Sequence, residues 1–413
     1  MATATQGALS HIKVLDLSRV LAGPWCTQML ADLGADVIKV ERPVVGDDTR
    51  HWGPPFLQDV QGNNTEQASY YAACNRNKRS VTIDMSSAQG QELIRTLALQ
   101  SDIVVENFKV GGLTQYGLDY ASLKALNPRL IYCSITGFGQ DGPYAERAGY
   151  DLMIQAMTGM MSITGQAECP PMRVGVAIVD VFTGVYATSA ILAALEVRHR
   201  SGEGQLIDMA LLDVGMAVLA NQAAGFLNTG QVPVRQGNSH PSLVPYQDFE
   251  TLDGAMLLAI GNDGQFARFC SVAGHAEWAT DTRFISNTAR VTHRVALVEL
   301  MQAATRTRST AGWIAALEDK AVPCGPINTM DQAFADAQVQ HRGLKITQLT
   351  SPAAQALTAV SAISSVASPL RLMSNPPVLC KPPPALGEHT LEVLAELGLG
   401  AEQIAMLQAD KVV

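Results

Sequence analysis

Residues 13–17, Lys-Val-Leu-Asp-Leu, are followed by Leu-Ala-Gly-Pro-Trp at 21–25, and then by Asp-Val-Ile-Lys-Val-Glu at 36–41. The first and last of these read as strands. Between them, 26–33 reads as a helix closed by Gly34. The unit recurs downstream. A strand is expected over 80–85, a helix capped by Ser86 or Ser87 over about 88–100, and a strand over 102–106. A short helix over 120–126 and a strand over 130–135 follow. Strands that alternate with helices specify an α/β fold with a parallel sheet covered on both faces. Ligands of such sheets bind beyond the carboxyl ends of the strands. The loops expected there are 21–25, 42–50, 107–112 and 137–150.

Working outward, Asp180 is the lone charge in the run 174–195, whose apolar residues Val181, Val185, Ile191, Leu192 and Leu195 fit a buried helix. Burial raises a carboxylate's pKa and the positive end of a helix lowers it, so Asp180 reads either as a helix cap or as a reactive carboxylate. Ser201-Gly-Glu-Gly ends this helix, and a second apolar helix is expected over 206–226. From 233 the texture changes to a polar loop, Gly237-Asn-Ser-His-Pro241. A hairpin over 245–260, helices near 265–273, 290–306 and 309–320, and a turn at 322–326 complete a smaller α+β domain. A helix and strands are expected within 331–375, a proline-rich connector at 376–384, and a terminal helix pair at 390–397 and 401–407.

With 413 residues, 47% of them hydrophobic, the chain can bury a large core as two domains. A net charge of −9, with no basic block, argues against a nucleic-acid surface. The longest uncharged runs, 214–234 and 346–370, are interrupted by polar residues, Gly or Pro and do not suit a membrane span. Scattered cysteines without Cys-x-x-Cys spacing, and no apolar leader, fit a reduced cytoplasmic protein. Metal-ligand spacings, Gly-x-Ser-x-Gly and the P-loop pattern are absent, so no metal is expected. Gly-x-Gly-x-x-Gly occurs at 137–142, but Pro143 follows and no helix opens there, so a dinucleotide fingerprint is not inferred. Arg19, Arg42, Arg50, Lys78, Arg79 and Lys109, near the expected strand ends, are candidate phosphate contacts. Asp151, at the head of an apolar helix, reads as a cap. His240 reads as a surface residue or a substrate contact.

The order of Val14-Leu-Asp-Leu-Ser-Arg-Val-Leu-Ala-Gly-Pro24, Leu33-Gly-Ala-Asp-Val-Ile-Lys-Val-Glu-Arg-Pro43, Asn77-Lys-Arg-Ser80, Val105-Glu-Asn-Phe108 and Gly137-Phe-Gly-Gln-Asp-Gly-Pro-Tyr144 resembles the class III CoA-transferases, the formyl-CoA:oxalate, carnitine and succinyl-CoA:dicarboxylate CoA-transferase type. Asp180, Gly204-Gln, Gly237-Asn-Ser-His-Pro241, Val322-Pro-Cys-Gly-Pro326 and Leu386-Gly-Glu-His-Thr390 extend it nearly end to end. The resemblance implies a large Rossmann-like CoA-binding domain over 1–227, a small α+β domain over 228–328, and a return linker with C-terminal helices over 329–413. It also implies an interlocked homodimer. It makes Asp180 the nucleophile and puts CoA contacts on Leu21, Ala22, Arg42, Ile83, Asp84, Met85, Ser86, Asn107, Phe108, Lys109, Ala148, Gly149, Tyr150 and Asp151. At Gln115 the family commonly has arginine, which puts one phosphate contact in doubt. Gly237, Asn238 and His240 are the expected substrate contacts, and backbone N–H groups near Gly237 the expected oxyanion donors.

The implied substrates are an acyl-CoA and a small carboxylic acid. No cofactor is held permanently; the coenzyme A thioester is a substrate. The expected reaction moves CoA from succinyl-CoA to a short dicarboxylate or its sulfinate analogue, through an aspartyl anhydride and an aspartyl-CoA thioester. Neither nucleic acid nor membrane is an expected partner. The alternatives are an α-methylacyl-CoA racemase of the same fold, which resembles Gly-His-Asp where this chain has Gly149-Tyr150-Asp151, and a non-catalytic CoA-binding protein.

Overall fold

The computed structural model describes residues 7–379 and 381–413. They divide into two compact units: 7–158 with 174–224 and 338–413, and 159–173 with 225–337. The boundaries expected from sequence differ from this division at 159–173, 225–227 and 329–337.

The first eight strands, all in the larger unit, are β1 (Lys13–Asp16), β2 (Asp36–Glu41), β3 (Phe56–Gln58), β4 (Asn64–Ala68), β5 (Lys78–Thr82), β6 (Ile103–Glu106), β7 (Ile131–Thr136) and β8 (Leu206–Ala210). A six-stranded sheet runs in the order β5-β2-β1-β6-β7-β8, and all its pairs are parallel. Successive residues of a strand face opposite sides. Leu15 and Leu17 therefore join Val81, Val104 and Tyr132 under the Ala88–Leu99 helix and the C-terminal helices Thr390–Glu396 and Ala401–Ala409. Val14 and Asp16 face the other way, toward the Ala22–Asp32 helix, whose Thr27 hydroxyl donates to Asp16 at 2.6 Å.

That second face holds the Asp180 helix, Ile178–Ser201, packed along the Ala22–Asp32 helix. Gly184 permits the contact, because a Cβ there would lie 2.8 Å from the Ala22 carbonyl oxygen. The helix is long and apolar enough to cross a membrane by composition, but it is a core helix, with Val179, Ala187, Ile191 and Ala194 buried. Arg198 in its last turn pairs with Asp102 at 3.0 Å, a cation at the negative helix end. Gly202 ends the helix in the left-handed conformation, φ 79°.

The structure corrects several expectations. Residues 206–226 are not one helix. Leu206–Ala210 is β8, paired with β7, and the helices Leu211–Ala217 and Ala220–Thr229 follow. An apolar run suits either state, and the open edge of β7 decides it. The strand expected over 80–85 begins at Lys78 and ends at Thr82. Residues 322–326 are more than a turn, since Cys324–Pro326 is a strand. The hairpin β3–β4 is too polar to read as strand from its sequence. A later hairpin, residues Lys345–Leu349 against Ala362–Val366, packs near it through Val360, Ile363, Ala72 and Leu57.

In the smaller unit, β9 (Tyr246–Glu250), β10 (Ala255–Ala259) and β11 (Cys324–Pro326) form an antiparallel sheet. Its core is Phe249, Leu258, Phe266, Phe269, Trp313 and Leu317.

Beneath β1 and β2 lies a chain of buried charges. The Lys78 ammonium donates to Asp16 at 3.1 Å, to the Pro24 carbonyl at 2.9 Å and to Asn75 at 2.8 Å, and neither Lys78 nor Asp16 is exposed. Burial alone would raise the Asp16 carboxyl, but Lys78, Lys39 and the hydroxyls of Ser18 and Thr27 hold it below its ordinary value. Lys78→Met removes the charge that balances Asp16. Urea unfolding at pH 7 should show a loss of about 3–5 kcal/mol, the usual cost of orphaning one half of a buried pair; an unchanged midpoint would contradict this account.

Candidate active site

The sheet order places β2 and β5 to one side of β1 and β6, β7 and β8 to the other. Chain direction therefore diverges between β1 and β6, which is where open α/β sheets form their ligand crevice. The loops leaving these strands are tied together: Arg19 N–H donates to Asn107 Oδ1 at 3.0 Å, and Asn107 Nδ2 donates back to the Arg19 carbonyl at 2.7 Å. Next to Arg19, Val20 has φ 73°, a strained conformation for a branched residue that costs about 1–2 kcal/mol. Its N–H donates to the Asp47 carboxylate at 3.2 Å. Asp47 is in turn held by Lys39 at 3.0 Å, and its carboxyl falls to about 2 because Lys39 and Thr49 outweigh the effect of burial.

The residues expected to touch CoA mostly line this edge. Leu21 and Ala22 are buried at the start of the Ala22–Asp32 helix. Arg42, just after β2, is exposed and shares Asp48 with Arg19, at 3.3 and 3.0 Å. Ile83 lies in the core with Met85 packed against it, so these two bring backbone rather than side chain to the edge. Asp84 accepts from Ser86 N–H at 2.9 Å and folds the corner before the next helix. The Phe108 ring lies 5.9 Å from the Arg19 guanidinium. Lys109 and Gln115 are exposed, and Gln115 donates to the Gly112 carbonyl at 3.1 Å.

Arg50, Lys78 and Arg79 are not available to phosphate. Arg50 is buried against Glu41 at 2.7 Å and Lys78 against Asp16, while Arg79 pairs with Asp36, Glu392 and Glu396. Lys78 and Arg79 open β5 and so stand at the end of the sheet away from the ligand edge. Sequence reasoning missed Glu106, which is buried at the crevice with its carboxyl pushed up to about 7 by desolvation and which accepts from Phe108 N–H at 2.8 Å. It lies within the Val105-Glu-Asn-Phe108 motif, but nothing in the apolar strand around it signals a buried carboxyl.

After β7 the chain loops out over 137–150 and returns. No helix opens at Gly137; the next is Asp151–Met157. Gly137 and Gly149 touch backbone to backbone, since a Cβ on Gly137 would lie 2.6 Å from the Gly149 Cα. This contact holds the base of the loop, where Ala148 and Tyr150 are exposed and Asp151 is buried. Asp151 does not cap its own helix; it is that helix's first residue. Its Oδ1 accepts from the N–H groups of Val179 at 2.8 Å and Asp180 at 3.3 Å, capping the Asp180 helix instead. Asp180 is likewise no N-cap. Ala177 holds that position, and Asp180 projects from the first turn. Among the described residues no donor reaches the half-buried Asp180 carboxylate. Desolvation first, and the nearby Asp151 charge second, push its pKa to about 7.

In the smaller unit, Gly237 has φ 59° and its N–H donates to the Gly165 carbonyl at 3.0 Å. Gly237 N–H is therefore already engaged, against the expectation that it serves as an oxyanion donor. Ser239 N–H bonds Gln236 and His240 N–H bonds Tyr246, so in 237–240 the Asn238 N–H alone lacks a partner among the described residues. His240 Nδ1 accepts from Ser242 N–H at 3.0 Å, which puts the ring proton of the neutral form on Nε2. Arg294 fixes the loop by donating to the carbonyls of His240 and Pro241, both at 2.9 Å.

The model of CoA-transferase family III matches residues 9–390. The chain is 51% identical over 389 residues to the succinate–glutarate CoA-transferase of Agrobacterium fabrum, covering 94% of this chain and 95% of that one. It is 37% identical over 398 residues to the succinyl-CoA:mesaconate CoA-transferase of Haloarcula hispanica, covering 95% and 97%. The crystal structure of a CAIB/BAIF family protein from Brucella suis superposes with TM-score 0.83 at 49% identity, over 95% of this chain and 100% of that chain. The chain belongs to CoA-transferase family III. It is a CoA-transferase, whose substrates are CoA thioesters and which has no permanent cofactor.

The raised Asp180 carboxyl makes a stability prediction whose sign is fixed. The unfolded chain ionises this group near pH 4 and the folded chain only near 7. Its contribution is therefore fully present below about pH 4 and is lost as pH rises toward 7. Asp180→Asn, neutral throughout, should gain stability over the wild type across that window. The ceiling is about 4 kcal/mol, reduced by solvent screening to about 1–2 kcal/mol at pH 8. Denaturant unfolding at pH 4 and pH 8 checks this; a difference independent of pH would contradict the assignment.

Proposed function

We propose that this enzyme moves CoA from succinyl-CoA to a short dicarboxylate, or to its sulfinate analogue, with Asp180 as the nucleophile. The observation that carries the reading is the Asp180 carboxylate itself: desolvated, without a donor among the described residues, and set on a core helix. Poor solvation is what makes a carboxylate a competent nucleophile. Similarity to transferases named for succinate, glutarate and mesaconate supports the substrate class.

In the first step Asp180 attacks the thioester carbonyl, giving a mixed anhydride and CoA thiolate. The thiolate then attacks the aspartyl carbonyl, releasing succinate and leaving an aspartyl-CoA thioester. The acceptor carboxylate attacks that thioester to form a second anhydride and thiolate. Attack of the thiolate on the acceptor's acyl carbon releases the new acyl-CoA and restores Asp180. One thioester is exchanged for another and no proton is consumed. The crevice edge seats CoA, with Arg19, Arg42 and Lys109 as the cations for its phosphates and Gln115 a neutral replacement for the usual arginine.

The working form is a homodimer, the reading the family resemblance favours. Phe182, Tyr186, Leu192 and Val197 leave apolar surface exposed along one helix, as an interface requires. The buried thiols of Cys26, Cys74, Cys133 and Cys270 fit a cytoplasmic enzyme.

Asp180→Ala should fold and lose transfer by several orders of magnitude. Hydroxylamine added to the wild type with succinyl-CoA alone should modify the peptide that carries Asp180. Mass spectrometry showing that peptide untouched during turnover would count against the covalent route.

His240 is assigned to the distal carboxylate of the acceptor, because its Nε2 proton is a donor and the chemistry needs no further base. His240→Ala should raise the acceptor KM far more than it lowers kcat, costing about 10- to 150-fold in kcat/KM for a dicarboxylate. A monocarboxylate of equal length should lose much less; equal losses would remove His240 from recognition.

A further inference from the structure

We infer that Asp151 is a positioning residue for the nucleophile: by occupying the free amides at the start of the Asp180 helix and placing a negative charge there, it leaves the Asp180 carboxylate without donors and so more nucleophilic. The inference rests on Asp180 being the nucleophile and goes beyond it by explaining how a first-turn aspartate stays reactive.

The first turn of a helix is where a carboxylate is ordinarily tamed, because its N–H groups and positive end stabilise the anion. Here the helix has no cap from its own Ala177 side chain, and Val181 N–H is satisfied by the Ala177 carbonyl. The amides that remain in reach, Val179 N–H and Asp180 N–H, both point at Asp151 Oδ1, at 2.8 and 3.3 Å. Asp151 comes from 28–29 residues earlier in the chain, so the cap is a tertiary one.

The other oxygen is fixed as well. Gln155, one turn on and fully buried, donates its amide Nε2 to Asp151 Oδ2 at 2.6 Å. Gln155 cannot turn over freely, because its Oε1 accepts from Val174 N–H at 2.9 Å. Both oxygens of residue 151 must therefore accept, which an aspartate does and an asparagine does not. A cap alone needs only one acceptor, so a full carboxylate here supplies charge in addition to shape.

The charged surroundings of Asp180 leave Asp151 as the source of that effect. Tyr70, from the Ser69–Ala72 helix, feels Asp180, but burial pushes its phenol to about 12 and it stays neutral. Of the elements packed on the Asp180 helix, Ala22–Asp32 carries Cys26 and Asp32, β7 carries Tyr132 and Cys133, β8 carries Asp208 and Leu211–Ala217 carries Asp213. None of these acts on the Asp180 carboxylate; Asp151 does.

The test compares wild type, Asp151→Asn, and Asp151→Asn combined with Gln155→Glu. In the double variant the glutamate accepts from the new amide and from Val174 N–H, restoring the hydrogen bonds while moving the charge away from Asp180. The Asp180 midpoint is read by infrared pH titration, using the carboxyl band missing from Asp180→Asn, and from the pH profile of kcat/KM. In both variants the midpoint should fall by about one unit or more. The value of kcat at pH 8 should fall at least about tenfold, while KM for succinyl-CoA stays within about twofold. The double variant should regain melting temperature without regaining kcat. An unchanged Asp180 midpoint in either folded variant, or full recovery of kcat along with melting temperature, would overturn the inference and reduce Asp151 to a structural cap. Failure of the wild type to transfer CoA between any acyl-CoA and acid would instead sink the nucleophile reading, and the infrared midpoint would still decide the effect of Asp151.

Discussion

Every loop at the ligand edge of β1 and β2 hangs from one chain of buried charges. Asp16 is paired with Lys78, Lys39 with Asp47, and Glu41 with Arg50, all with little or no exposure. Such pairs give up hydration that their attraction only roughly repays, so they contribute little net stability. Their effect is geometric. Lys39 also donates to the Ser18 carbonyl at 2.7 Å, Asp47 holds the strained Val20, and Arg50 reaches the Pro384 carbonyl at 3.2 Å. The loop after β1, the loop after β2 and the return segment near 384 are thereby fixed to the same frame. A loop with no such anchor would relax Val20 into an ordinary conformation and release the Arg19–Asn107 bridge across the crevice.

The same face of the sheet, which Asp16 shares with the Ala22–Asp32 helix, also carries the Asp180 helix. The Asp180 helix is long, apolar and closely packed, so its first turn cannot drift. Gly184 lets it lie against the Ala22–Asp32 helix, and the Gly137–Gly149 contact sets where Asp151 begins. Rigid support of this kind suits the nucleophile proposed here, since small displacements cost large factors in rate. The same packing half-buries Asp180, and desolvation is the leading cause of its raised pKa. Position and reactivity thus come from one set of contacts.

The sequence carried much of this openly. The alternation of β1 and β2 about a helix was legible, as were the cap at Ser87, the helix Tyr120–Leu126, the hairpin of β9 and β10 and the C-terminal pair. It misled where a local pattern suits two states. The run containing β8 is apolar enough for a helix, and β5 opens on Lys78-Arg79-Ser80, which reads as exposed because charges usually are. Residues 206–210 become a strand, and β5 starts two residues before the expected Ser80, because neighbouring backbone offers a ladder and Lys78 and Arg79 find carboxylates to offset their burial.

For the site the division is similar. A lone carboxylate in an uncharged run is a local fact, so Asp180 was marked by its own stretch of chain, and the ordered motifs joined it to a family. The sequence by itself determined the layered architecture and marked Asp180 as the candidate reacting group, because periodicity and an isolated charge are properties of short segments. Only the tertiary structure decided which cations are free, why Gly237 N–H is already engaged, and that Asp151 caps the helix of Asp180 rather than its own. Those outcomes depend on partners tens or hundreds of residues apart, and no local pattern encodes which donor will be brought to which acceptor.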